Sequence, residues 1–202
     1  RIRAVDSAVA EFDVWPAYDC LIFGVREDDR LLMLSEGQWI EVQREFAASV
    51  DADVAAIDTI ELDWPAAGDD EAERDYNARV VANDLSLGAF DRVDIRIPRQ
   101  RTPIVACDVL GDRRLYHVKR RTLSGTLSHL FAQGRVSAEA FRWAPEVREQ
   151  MRAHLGAAHP LSGSIPVDEP GQREFAIVFV VLAKNATQLP DDLPFFSKLN
   201  LV

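Results

Sequence analysis

Cysteine is scarce in this chain: Cys20 and Cys107 are the only two. Two thiols exclude a disulfide framework and a cysteine-rich zinc site. Histidine is nearly as thin. His117, His129, His154 and His159 form no HExxH pattern, and no cysteine pair has metal-ligand spacing. Long apolar runs are missing too. The longest strong one, Phe175 to Ala183, is strand-sized, far short of the roughly 18 residues a membrane-spanning helix needs. No charged segment followed by an apolar stretch reads as a secretory signal, and no internal repeat is present. These absences lead to the expectation of a reduced, cytoplasmic protein with no membrane partner. The start at Arg1 rather than Met leads to the expectation that the chain is the C-terminal portion of something longer.

What is present suffices for a folded core. The 202 residues are 48% hydrophobic and 28% charged, enough for one large domain or two small ones. The net charge of −10 argues at first against a polyanionic partner, but it is unevenly spread. Residues 1–91 hold 7 basic and 22 acidic side chains, a net of −15, whereas residues 92–202 hold 16 and 11, a net of +5. Arg113, Arg114, Lys119, Arg120 and Arg121 fall within nine residues that contain no acid. Local charge decides where a polyanion docks. A solvated strand edge that discourages pairing is the competing reading of the same cluster.

Periodicity gives an α/β (α+β) fold: a mixed β-sheet flanked by helices, preceded by a small antiparallel meander. The meander runs over Tyr18–Val25, Leu31–Leu34 and Trp39–Val42, with turns at Glu27–Asp29 and Glu36–Gly37. Phe46, Val50, Val54 and Ile57 mark a helix within residues 43–60. The loop from Asp63 to Asp70 supplies the boundary, giving an acidic N-terminal unit over 1–64 and an α/β core over 65–202. Asp70 with Glu73 three residues on reads as a capping box for a second helix. Strands are expected over Phe90–Ile97, Pro103–Leu110 and Arg114–Arg121. A helix from Leu123 should be capped by Gly134, a short one should start at Ser137, and a third should start at Pro145. Residues 156–172 read as a loop and Phe175–Ala183 as a buried strand. The four tryptophans look like core rather than a stacking platform.

The segment Cys107-Asp108 through His117-Val118-Lys119 carries the chemistry. An apolar strand holding a carboxylate turns at Gly111-Asp112 into a strand on which His117 and Lys119 share one face. An unpaired carboxylate in such a strand is costly, and a divalent cation or Lys119 would relieve it. A carboxylate-held Mg²⁺ with a lysine beside it is what phosphodiester hydrolysis requires. A structural Asp108–Lys119 ion pair explains the same spacing.

Asp108 followed by His117-Val118-Lys119 resembles a variant of the PD-(D/E)XK nuclease core, and Glu73 matches the acidic residue many such cores carry on the preceding helix. The chain also resembles an uncharacterised, sporadically distributed bacterial family associated with defence or restriction. That likeness rests on Glu73 with Tyr76-Asn77, Cys107-Asp108, His117-Val118-Lys119-Arg120, Leu127-Ser128-His129-Leu130-Phe131-Ala132-Gln133-Gly134 with Val136-Ser137, and Phe195-Phe196-Ser197-Lys198-Leu199-Asn200-Leu201. The resemblance implies a restriction-endonuclease-like core and a metal-dependent nuclease acting on DNA or RNA, with other defence-system proteins as partners. It implies Asp108, Lys119 and His117 as catalytic residues. Glu73, Asp108 and Asp91 would hold Mg²⁺ or Mn²⁺. Gln133 resembles the post-lysine glutamine of some nuclease cores; with the basic cluster of Arg113, Arg114, Arg120 and Arg121, and with Ser128 and His129 off the apolar helix stripe, it is expected to contact nucleic acid.

Two departures open a rival reading. His117 stands where the nuclease pattern has an acid, and histidine suits Mn²⁺ better than Mg²⁺. Ala106 stands where the family is expected to carry a glutamate. A nuclease fold that lost its metal and serves as a nucleic-acid-binding or protein-interaction module therefore stays open. So does an acidic N-terminal half that docks on a basic partner.

Overall fold

A computed structural model describes residues 2–5, 11–122, 124–184, 189–190 and 192–202. Its helices are α1 (Arg44–Ala55), α2 (Glu73–Asn83), α3 (Ser124–Trp143), α4 (Pro145–Leu155) and α5 (Phe195–Leu199). The fold is α+β, and the chain divides into two compact units. One comprises Arg1–Asp58 with Gln188–Val202, the other Thr59–Thr187. The expected boundary at 64/65 thus lies a few residues late, and the C-terminal tail groups with the N-terminal unit rather than with the core.

In the first unit, strands β1 (Ile2–Val5) and β2 (Glu11–Trp15) pair antiparallel. The expected meander follows as β3 (Phe23–Glu27), β4 (Arg30–Ser35) and β5 (Gln38–Val42), antiparallel in that order. Tyr18–Cys20, expected within the first strand, is instead a 3-10 turn. Glu36 and Gly37 both have positive φ, 50° and 72°, as a tight hairpin turn demands. Val50 and Val54 bury the inner face of α1. The tail closes this unit. Phe195 meets Phe46 edge to face at 6.1 Å, and Lys198 Nζ lies 2.7 Å from Asp51 Oδ1. The tail lysine is thus an ion-pair partner of α1.

The second unit is built on a four-stranded mixed sheet. Its strands are β6 (Gly88–Ala89), β9 (Val109–Gly111), β10 (Arg114–Arg120) and β11 (Ala176–Leu182), in the order β11-β10-β9-β6. β10 and β11 are parallel; the other pairs are antiparallel. A separate two-stranded ladder joins β7 (Asp94–Ile95) to β8 (Ile104–Val105). Alternation along β10 gives the sheet two buried faces. Tyr116 and Val118 pack with Val109 and with Tyr76 and Val80 of α2. Leu115 packs with Leu110, Phe141 of α3, and Val147 and Met151 of α4. The sheet therefore lies between α2 and the α3–α4 pair.

Four expectations change here. The Phe90–Ile97 strand is cut short because Val93 N–H bonds back to Phe90 O at 3.0 Å and Arg92 takes a φ of 58°; Val93, Ile95 and Ile97 still face the core. Asp70 does not cap α2, which starts at Glu73 with no side-chain cap; Asp70 pairs with Lys184 at 2.9 Å. The two helices expected around Gly134 are one continuous helix, with Leu123 itself outside the described residues. Gly134 is not a stop: the Phe179 ring of β11 occupies the place a Cβ would take. Residues 156–172 are pinned rather than loose. Arg152 donates to Pro166 O at 2.8 Å, Arg148 bonds Val167 O at 3.3 Å, and Leu161 and Ile165 are buried.

Candidate functional site

β10 has seven residues and β9 only three, so the far half of β10 has no backbone partner on that edge. Buried edge N–H groups need acceptors. Two carboxylates supply them. Asp108 turns out of the β9 line, its own N–H bonding Tyr116 O at 2.8 Å, and its Oδ2 accepts the Val118 N–H at 2.7 Å. Glu73, the first residue of α2, accepts the Arg120 N–H on Oε1 at 2.9 Å and Lys119 Nζ on Oε2 at 2.9 Å. Glu73, Asp108 and Lys119 therefore meet at one strand end, as expected. The lysine's direct partner is Glu73 rather than Asp108.

Burial pushes the Asp108 carboxyl up to about 6, and the nearby charges of Asp91 and Glu73 push the same way; the Val118 N–H and Lys119 pull against them. Asp91 thus shares the electrostatic neighbourhood of Asp108. Asn77, one turn beyond Glu73 on the same face of α2, is buried with neither amide atom hydrogen-bonded.

An open cleft of about 510 Å³ adjoins this cluster, lined by the α2 start with Arg74, Arg92, Arg120, Thr122 and Lys184. Arg120 is structural. Its guanidinium donates to the carbonyls of Gly68 (2.8 Å), Asp69 (3.2 Å) and Glu71 (2.8 Å). Arg79 holds the same loop through Glu71, at 2.7 and 2.8 Å, and through Ala66 O. The Arg79 hydrogen bonds and the Gly68 N–H hold the Glu71 carboxyl down at about 2. Arg74 and Arg92 are exposed on the rim.

His117 is not part of this site. It points to the α3 face of the sheet and is fully buried, with Nε2 2.8 Å from Ser137 Oγ. Ser137 Oγ donates to Gly134 O at 2.8 Å, so the imidazole N–H must be on Nε2. Burial drops its pKa to about 4, and the ring is neutral at pH 7. His117 thus ties β10 to α3, and the expected catalytic role is corrected. The basic run divides as well. Arg113 and Arg114 stand at the β9–β10 turn, whereas Arg120 and Arg121 lie at the other end of β10, roughly 20 Å away at strand spacing. Of the α3 residues, Ser128 and Gln133 are half-buried and His129 exposed, on the helix that packs against the opposite sheet face from α2. None of the three lines the α2–β10 cleft.

Among the described residues no three His, Cys, Asp or Glu side chains come close enough together to hold an ion. Both Glu73 oxygens and one Asp108 oxygen already accept N–H groups.

Comparison with protein families matches residues 1–202 to DUF6119, a family of unknown function. The chain belongs to DUF6119. No curated protein and no solved structure matches it. The site of this DUF6119 member therefore has to be read from its own geometry. Sequence reasoning missed the clamping of the 66–71 loop by Arg79 and Arg120. The only signal for it was the crowding of Asp69, Asp70 and Glu71 before α2, acids that need cations nearby.

Proposed function

We propose that this chain is a nuclease-like domain that engages the phosphodiester backbone of DNA or RNA at the α2–β10 cleft, as a binding module. The observation that carries this reading is the meeting of Glu73, Asp108 and Lys119 at one strand end, beside a cleft with Arg74 and Arg92 on its rim. Glu73 opens a helix, Lys119 lies on β10 and Asp108 sits in the bend just before β9. The neutral, buried His117 and the engaged Glu73 oxygens favour binding over chemistry. Free Cys20 and Cys107 suit a reducing cytoplasm, and foreign nucleic acid is the partner the defence-type resemblance implies.

Metal-dependent cleavage is the second reading. Its favouring observation is that burial and the charges of Asp91 and Glu73 raise the Asp108 carboxyl despite the Val118 N–H and Lys119, so added positive charge there would be favourable.

Fluorescence anisotropy with labelled DNA and RNA separates the two. Binding should occur without metal, and Arg74→Ala with Arg92→Ala should weaken it several-fold and flatten its salt dependence by about two counterions. Failure to bind either polymer overturns the proposal. Nicking in Mn²⁺ that Asp108→Ala abolishes replaces the first reading with the second.

A further inference from the structure

Trp143 was expected in the core, but it is 63% exposed at the C-terminus of α3. The Arg142 guanidinium carbon lies 4.5 Å from its ring centroid, and Arg142 is in turn held by Glu169 at 3.1 Å. A stacked, tethered indole left open to solvent is a preorganised aromatic surface. It borders a pocket of about 240 Å³, whose floor is Leu115, Phe141, Phe175 and Ile177 and whose rim includes Gln172. The Phe141 and Phe175 rings meet at a tilt of 54° with centroids 4.8 Å apart, so the floor is apolar.

Positive charge is in slight excess at this end of the sheet, where Arg113, Arg114 and Arg173 stand against the carboxylates of Asp112 and Glu174. Glu139 is paired with Arg135, Glu169 with Arg142, and the Glu174 carboxylate accepts the Gly171 N–H at 2.9 Å. Arg113, Arg114 and Arg173 are exposed at the same end of the sheet, and no ion pair neutralises them among the described residues. The β9–β10 turn that carries the first two is fastened there: Arg113 O accepts the Ala176 N–H at 2.9 Å, next to Phe175. Asp112 is the one further acid of that turn.

An apolar slot beside an exposed indole, with exposed guanidinium groups at the same end of the sheet, suits a planar ring linked to phosphates. We infer that this pocket is a second nucleic-acid contact, in which an unpaired base stacks on Trp143 while the flanking phosphates meet Arg113, Arg114 and Arg173. Single strands are selected because a paired base cannot leave its stack to enter the slot without a cost. The inference rests on the nucleic-acid reading above and concerns a different set of residues from the α2–β10 cleft.

The test is anisotropy with a labelled single-stranded oligonucleotide and the matching duplex, on the full chain. Trp143→Ala should weaken single-strand binding roughly tenfold and leave duplex binding within about twofold, in line with the loss of one base–aromatic stack. Trp143→Phe should recover most of the affinity, because it keeps a stacking face. Arg113→Ala with Arg114→Ala should weaken both ligands and lower the salt slope. If wild type binds with the expected dependence on Arg74 and Arg92 but Trp143→Ala leaves single-strand affinity unchanged, this inference fails and the cleft reading stands. If Trp143→Ala weakens single strands and the cleft substitutions do nothing, the cleft reading fails alone. No binding by wild type overturns both. Circular dichroism and thermal melts identify any variant that loses affinity by unfolding.

Discussion

His117 and Asp108 drive the pH dependence of folding in opposite directions. The His117 ring has a folded pKa of about 4 against 6.5 for the free side chain, because the core around Ser137 and Phe179 disfavours its charged form. Its contribution to stability is full above pH 6.5 and is lost as pH falls towards 4, where the unfolded chain takes up a proton that the folded one refuses. Asp108 has the reverse sign. Burial and the charges of Asp91 and Glu73 raise it from 3.8 to about 6, so the folded state binds the extra proton and stability falls as pH rises from about 4 to 6. Each effect spans on the order of 3 kcal/mol, and the two largely cancel between pH 4 and 6. His117→Gln should therefore steepen the loss of stability as pH rises through that window, relative to wild type. Asp108→Asn should produce a rise instead, while still accepting the Val118 N–H. Urea unfolding at pH 4, 5 and 6 measures both. Parallel profiles for wild type and the two variants would refute this assignment. That Asp108 needs a partner was legible in the sequence, but the partner is the Val118 N–H of the strand edge rather than Lys119. The fate of His117 was not, because strand alternation gives the face of a residue but not whether that face opens on solvent or on another helix.

At the scale of elements, α3 was read as two helices because glycine and a following serine resemble a stop and a start. The helix passes through both. Gly134 serves an approach between elements: it lets the Phe179 ring sit against the helix backbone, and Ser137 returns its hydroxyl to the Gly134 carbonyl while accepting His117. Helix propensity alone predicts that Gly134→Ala stabilises by about 1 kcal/mol. The occupied space predicts the opposite, a loss of about 1–3 kcal/mol from overpacking. Thermal denaturation decides between them, and a Gly134→Ala, Phe179→Leu double variant should recover part of the loss, because the ring that blocks the new methyl is gone. Elements that carry their own signal were legible. The β3–β5 meander, the Arg114–Arg120 strand and the Pro145 start of α4 all follow from local pattern. The short strands β6 to β8 were not, since the positive φ of Arg92 and the Val93 N–H bond back to Phe90 O interrupt the expected Phe90–Ile97 strand.

For the molecule as a whole, the charge division changes meaning once the units are known. The split at residue 91 gave a basic half of +5, but no folding unit matches that half. The unit Thr59–Thr187 carries 17 basic and 18 acidic side chains, a net of −1; the remainder, Arg1–Asp58 with Gln188–Val202, carries 6 and 15, a net of −9. A near-neutral unit does not bind a polyanion through its overall field. Binding must come from the few arginines left unneutralised, and many basic groups of this unit are already engaged: Arg79 and Arg120 with the 66–71 loop, Lys119 with Glu73, Lys184 with Asp70, Arg148 and Arg152 with backbone carbonyls. Arg74 and Arg92 at the cleft, with Arg113, Arg114 and Arg173 at the other end of β10, supply the phosphate contacts of the two proposed sites; Arg96 and Arg99 are exposed as well and have no ion pair among the described residues. The logarithm of the binding constant should therefore fall with the logarithm of salt concentration with a slope between about −2 and −5. Anisotropy titrations across a salt series test this directly. A slope steeper than about −8 would require cations beyond these seven and would show that the engaged groups leave their partners on binding.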